Sequence, residues 1–270
     1  MNKKDVFIKD VETLSKMIIN GEIGNLLNES YITGSSYIYQ TTQFPGTDIK
    51  YHNYYLLIRV GSYFGACSFV ENQTKSEMAA LLSGTKLKDA IESDILPVKI
   101  AAMDAFLGNS FPHAKECVEV VKINPGTPVE KANKRDRLIA DLADVKKDQK
   151  VALIGVVDPL VEAIKYKGGI CLPCDLKLVK TKSGDLIEKD MEKVLKKADS
   201  IICTAMTLSN STFNRIIEVA RNKNIPLTVY AQTGSAVISQ FIGKGVTGLL
   251  AEPFPFTQFS ALTSELYIYK

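Results

Sequence analysis

The chain has 270 residues, 33 Lys and Arg against 30 Asp and Glu, and 46% hydrophobic residues. This is globular composition, long enough for one large domain or two modest ones. The net charge of +3 supplies no global field for nucleic acid, and no run approaches the roughly 18 apolar residues of a membrane span.

Met1 to Asp10 has lysines but no long apolar core behind them, so no signal peptide is expected. Val11, Leu14, Ile18 and Leu26 recur at helical spacing between Asp10 and Leu27. Tyr31 to Thr42 is rich in Tyr and Thr, as strands are. Phe44 to Asp48 reads as a turn. Tyr54 to Val60 and Tyr63 to Val70 read as two strands, and Gly61-Ser62 between them suits a tight hairpin. Helices follow over Thr74 to Leu82 and from Pro97, where Val98, Ala101, Ala102, Ala105 and Phe106 share one face and Gly108-Asn109 ends the run. The first part, 1–112, is therefore predicted to be α+β.

Residues 113–146 read as a linker with a short strand, Cys117 to Ile123, and a charged helix, Lys131 to Asp144. From 147 to 270 strands and helices alternate. Val151 to Val157 is apolar throughout, as a strand buried on both faces is. A helix starting at Asp158-Pro159 follows, then a strand near Leu176 to Val179 and a helix from Asp185 to Lys197. Ser200 to Thr204, Leu227 to Ala231 and Val246 to Leu250 are further core strands. Helices capped at Ser209 or Asn210 and starting at Ser235 separate them. This alternation predicts a doubly wound parallel sheet with right-handed crossovers.

Ligands of such sheets bind beyond the carboxyl ends of the strands. After the first core strand only Gly155 of a G-x-G-x-x-G fingerprint is in place, and Pro159 removes a phosphate-cradling amide. Standard NAD binding is therefore disfavoured. Asp158 is either a helix cap or a ligand-facing carboxylate. The next loop carries Thr204, Thr207, Asn210 and Thr212, more hydroxyl and amide groups than capping alone needs.

Cys171-Leu172-Pro173-Cys174 is a CxxC pair, a weak metal candidate without the second pair a structural zinc needs. Five cysteines, an odd number, suit reduced thiols and a cytoplasmic setting. Histidine occurs only at His52 and His113, so a three-histidine metal site is beyond one chain. Neither has a Ser or Cys partner recognisable in the sequence, and both are expected to be solvated.

Leu82-Ser83-Gly84-Thr85-Lys86-Leu87, followed by Ala101-Ala102-Met103-Asp104-Ala105-Phe106-Leu107, resembles the first domain of the putative heavy-metal chelation family. Asp104 stands where that family often has Asn. Thr204-x-x-Thr207-Leu208-x-Asn210-x-Thr212 resembles its main signature, and Gly245-Val246 with Gly248 its later glycine turn. Ala231-Gln232-Thr233-Gly234-Ser235 departs from the family's Gly-Pro-Ser turn. The resemblance implies an enolase-N-terminal-like α+β domain followed by a Rossmann-like domain, with a site in the cleft between them.

On this reading the chain binds a small anionic molecule, a metal ion or a metal chelate there. Thr204, Thr207, Asn210 and Thr212 would face Gln232, Thr233 and Ser235, with Asp158 or Glu252 supplying charge. Two alternatives stay open. One is a lyase or transferase of a specialised metabolite or metallophore pathway, although no nucleophile–base pair is legible. The other is a non-catalytic module that assembles as a homo-oligomer. No nucleic-acid or membrane partner is expected.

Overall fold

The computed structural model describes residues 6–25, 27–43 and 50–270. Leu26 and the turn expected at Phe44 to Asp48 lie outside the described residues, as do residues 1–5.

Asp10 caps α1 (Val11–Ile19), its carboxylate accepting from the Thr13 amide. Three antiparallel strands follow, β1 (Gly34–Gln43), β2 (Lys50–Val60) and β3 (Tyr63–Phe69), in the order β1-β2-β3. The turn at Gly61-Ser62 joins β2 to β3, with Gly61 at φ +57°. Then come α2 (Glu77–Leu82), α3 (Leu87–Ile91) and the buried α4 (Leu96–Ser110), which opens with Pro97 in its first turn. Gly65 lets β3 lie directly on α4: an added Cβ would stand 2.0 Å from the Ala105 nitrogen.

A single turn, α5 (His113–Glu116), leads to β4 (Glu119–Ile123) and α6 (Pro128–Leu142), whose Thr127 and Glu130 form a capping box. The remaining elements are β5 (Lys150–Ile154), α7 (Asp158–Tyr166), β6 (Ile170–Cys174), α8 (Met191–Lys197), β7 (Ser200–Thr204), α9 (Met206–Ser209), α10 (Phe213–Lys223), β8 (Leu227–Ala231), α11 (Ser235–Ser239), β9 (Gly248–Ala251) and β10 (Ser264–Tyr269). They form a seven-stranded sheet, β4-β10-β9-β8-β7-β5-β6. Five of its strands are parallel. β10 runs antiparallel between β9 and β4. The fold is thus mixed α/β, and the segment expected as a linker contributes an edge strand to the large sheet.

Strand alternation divides the core. Val151, Leu153 and Ile202 pack with Ile139 of α6 and Leu160 and Ile164 of α7. Ala152, Ile201 and Val229 face α8, α10 and α11, and this cluster runs on into α1, α3 and α4.

Two sequence expectations need correction. The strand near Leu176 to Val179 is not formed; the strand is Ile170–Cys174, paired in parallel with β5. Residues 178–187 instead make a small side hairpin, in which the Ile187 amide donates to the Val179 carbonyl at 3.0 Å. The helix expected from Asp185 begins at Met191, where the Asp190 carboxylate accepts from the Glu192 amide at 3.0 Å.

Candidate functional site

β5 lies between β6 and β7, so the order of connection reverses there. That switch point is the usual ligand crevice. Gly155 takes the left-handed backbone it needs, φ +84°, but an added Cβ would stand 2.5 Å from the Thr204 methyl. The Tyr230 hydroxyl donates to the Gly155 carbonyl at 2.7 Å, and burial pushes its phenol upward. Thr204 and Tyr230 therefore occupy the space beside Gly155. The Asp158 carboxylate accepts from the Lys182 amide at 2.7 Å and ties α7 to the side hairpin.

The hydroxyl-rich loop after β7 is turned on itself. The buried Thr207 hydroxyl donates to the Thr204 carbonyl at 2.7 Å. The Asn210 side-chain oxygen accepts from the Thr212 amide at 3.1 Å and from its hydroxyl at 2.6 Å. These bonds shape the tight turn around α9, so local backbone needs account for the hydroxyl surplus. Thr207 lines a crevice of only about 20 Å³, closed by Leu96, Leu208 and Phe213. A larger concavity, about 590 Å³, lies elsewhere, at Asn20, Asn25 and Asn28.

The polar groups at the ends of β8 and β9 do gather. Gln232 follows β8, and Glu252 follows β9 with its amide bonded to the Ala231 carbonyl at 2.8 Å. Glu252 is buried. Its carboxylate accepts from the Thr257 amide at 2.5 Å and from the Gln232 amide group at 2.9 Å. Gln232 and Gln258 exchange amide hydrogen bonds at 2.8 and 3.2 Å. Arg135 of α6 stands 3.7 Å from Glu252 and donates to Asp136 at 3.0 Å. Burial pushes the Asp136 carboxyl up, against the pull of Arg135. Tyr55 of β2 closes the cluster; burial pushes its phenol up to about 12, opposed by a hydrogen bond with Gln258. Phe256 packs against Tyr55 at 5.4 Å and seats this loop on the first sheet. Gln258 is exposed and Gln232 half-buried, so the amide pair meets solvent.

Thr233 and Ser235 are both buried, and Ser235 turns the other way from Gln232. Its Oγ lies 3.0 Å from Nε2 of His113, whose Nδ1 lies 2.6 Å from the Tyr269 hydroxyl. Tyr267 stacks on the imidazole at 5.5 Å. His113 is thus buried rather than solvated, a correction, and sequence reasoning missed its serine partner because 122 residues separate them. The pair has the form of a nucleophile and its base. However, Ser235 is 0% exposed, and the adjacent Ala236 amide, a helix-start donor, is taken by Asp104 at 2.7 Å.

Cys171 and Cys174 do not form a chelating pair. Cys171 packs on the α6–α7 side of the sheet and Cys174 in the opposite cluster. Burial pushes their thiols up to about 12 and about 11. Among the described residues no three His, Cys, Asp or Glu side chains gather as a metal site.

Residues 138–228 match the model of the DUF364 family, described as putative heavy-metal chelation. The DUF364 match runs from the end of α6 through α10 to the first residues of β8 and reaches neither His113 nor Glu252. A DUF364 protein of unknown function from Desulfitobacterium hafniense has the same overall fold, with TM-score 0.64 and 16% identity over 95% of this chain and 98% of that one. One from Pyrococcus horikoshii, also of unknown function, gives 0.56 and 15% over 96% and 98%. No curated protein matches the chain.

Proposed function

We propose that the chain binds a small polar molecule or a metal chelate at the seam between its two domains, through Gln232, Gln258 and Glu252. The observation that carries this reading is the reciprocal amide pair of Gln232 and Gln258, half open to solvent above a buried carboxylate. Two primary amides bonded to each other exchange partners at little cost when a ligand offers carboxylate or amide groups. A metal would arrive already held by its chelator, because the side chains here supply one carboxylate and no thiol or imidazole.

Thermal unfolding and native mass spectrometry with ferric citrate, and with citrate alone, test this. Binding should stabilise the chain, and Gln232→Ala should weaken binding at least about tenfold, the loss of a polar contact to a charged ligand. Binding that survives Gln232→Ala but not Asn210→Ala would move the site to the loop after β7. Absence of binding by either probe counts against this class of ligand.

A further inference from the structure

We propose that the chain forms a two-fold dimer through β1, which pairs antiparallel with the same strand of a second copy. The two sheets have four edges, β1, β3, β4 and β6, and an open edge invites a further strand unless something blunts it. Three are blunted. At β3 the Gly234 amide donates to the Ala66 carbonyl at 2.8 Å, and Asp104 accepts from the Ala66 amide at 2.9 Å. At β6 the Glu188 amide donates to the Pro173 carbonyl at 3.0 Å, and the Glu188 carbonyl accepts from the Asp175 amide at 3.1 Å. β4 is only five residues long and exposes Glu119 and Lys122.

β1 has none of these devices. It is ten residues long, carries no charge and no proline, and keeps an unbroken register with β2 from Gly34 to Gln43. Residues 84–87 pair with the chain before it and stop at Ile32. Among the described residues no backbone bond links the outward groups of β1 to another element.

The sequence of this edge is matched to itself. In a two-fold interface residue i meets j and j meets i. About Ile38 the strand reads alike in both directions, Ser35-Ser36-Tyr37 on one side and Tyr39-Gln40-Thr41 on the other. An axis at Ile38 therefore sets Tyr37 against Tyr39 of the second copy, Ser36 against Gln40 and Ser35 against Thr41, pairs that stabilise antiparallel strands. Tyr37 and Tyr39 already belong to an aromatic ladder: Tyr39 stacks on Tyr54 at 4.9 Å, and Tyr37 meets Phe69 at 5.7 Å. The ladder ends at Tyr39, which is 51% exposed, and the tyrosines of a second copy continue it. The Gln40 side-chain oxygen is buried without a hydrogen-bond partner, and the opposed Ser36 hydroxyl, exposed in the single chain, is a donor for it. Charge does not oppose the contact: Lys50 and Arg59 of β2 lie opposite the two ends of β1, away from its centre.

Sedimentation velocity of the full chain from about 1 to about 100 μM should show a dimer forming with concentration. Ser36→Lys with Thr41→Lys, two exposed positions on the edge, should weaken it at least about tenfold, and Val120→Lys on β4 should not. In the wild type, hydrogen exchange of peptides from β1 should slow at least about threefold between the lowest and highest concentrations. A monomer throughout that range overturns the proposal. So does a dimer whose β1 exchanges equally at both concentrations, whether or not the lysine variant folds. A folded lysine variant that dimerises as the wild type does, or a dimer lost in Val120→Lys, places the interface elsewhere and also overturns it.

Discussion

Cys171 and Cys174 stand on one strand and face opposite sides of the sheet. Three residues along a strand reverse the side-chain direction, so the CxxC spacing that would suit a helix or a turn defeats chelation here. The thiols are expected to be inert. At pH 8 their burial should slow alkylation by iodoacetamide at least about fifty-fold relative to the unfolded chain. Mass spectrometry of timed aliquots checks this. Cys171→Ser should leave the metal content of purified protein unchanged; a loss of bound metal would restore the thiol-site reading.

Arg135 is held between Asp136 and Glu252, and both carboxylates are buried. Arg135→Met should cost about 3 kcal/mol at pH 7, because it leaves buried charge unpaired. The sign of the pH dependence follows from Asp136, whose carboxyl burial already pushes up. A raised folded-state value means stability present in acid and lost as the pH rises. Urea unfolding should therefore show the penalty shrinking from pH 7 to pH 5. A penalty that grows in acid would show that the guanidinium does not neutralise this pair.

Gly155→Ala tests the closed switch point. The left-handed backbone and the Thr204 methyl at 2.5 Å both oppose a Cβ. A loss of about 2 kcal/mol is expected, the sum of backbone strain and overpacking. Gly155→Ala with Thr204→Ser, which removes that methyl, should recover part of it. Full stability of the single variant would mean the crevice has space that a ligand could use.

Legibility followed sequence distance and burial. The runs Ser200 to Thr204 and Leu227 to Ala231 mark β7 and β8 to the residue, because a parallel strand buried on both faces leaves a continuous pattern. β10 left no such trace: Glu265 and Tyr267 alternate with buried Leu266 and Ile268 near the sheet's edge. β6 is masked in the sequence because Pro173 interrupts its run, while Leu176 and Val179, apolar but exposed, imitate a strand. Gln232 and Glu252 were legible as residues at strand ends. Their partners were not: Arg135 is on a helix read as connecting structure, and Gln258 in a loop.

The bond between His113 and Ser235 is the relationship least visible in sequence, and a double-mutant cycle can weigh it. Ser235→Ala should cost about 1–2 kcal/mol, since it leaves a buried ring nitrogen without one partner. His113→Phe should cost more, because the Tyr269 hydroxyl and the Ser235 hydroxyl each lose a partner, Ser235 keeping only the longer 3.5 Å contact with the Tyr63 hydroxyl. If the bond couples the two sites, the double variant should be less destabilised than the sum by at least about 0.5 kcal/mol. Urea unfolding of the four proteins gives that number. Strict additivity would mean that stacking on Tyr267 and burial, not the hydrogen bond, hold His113 in place, and that Ser235 is free to serve another partner.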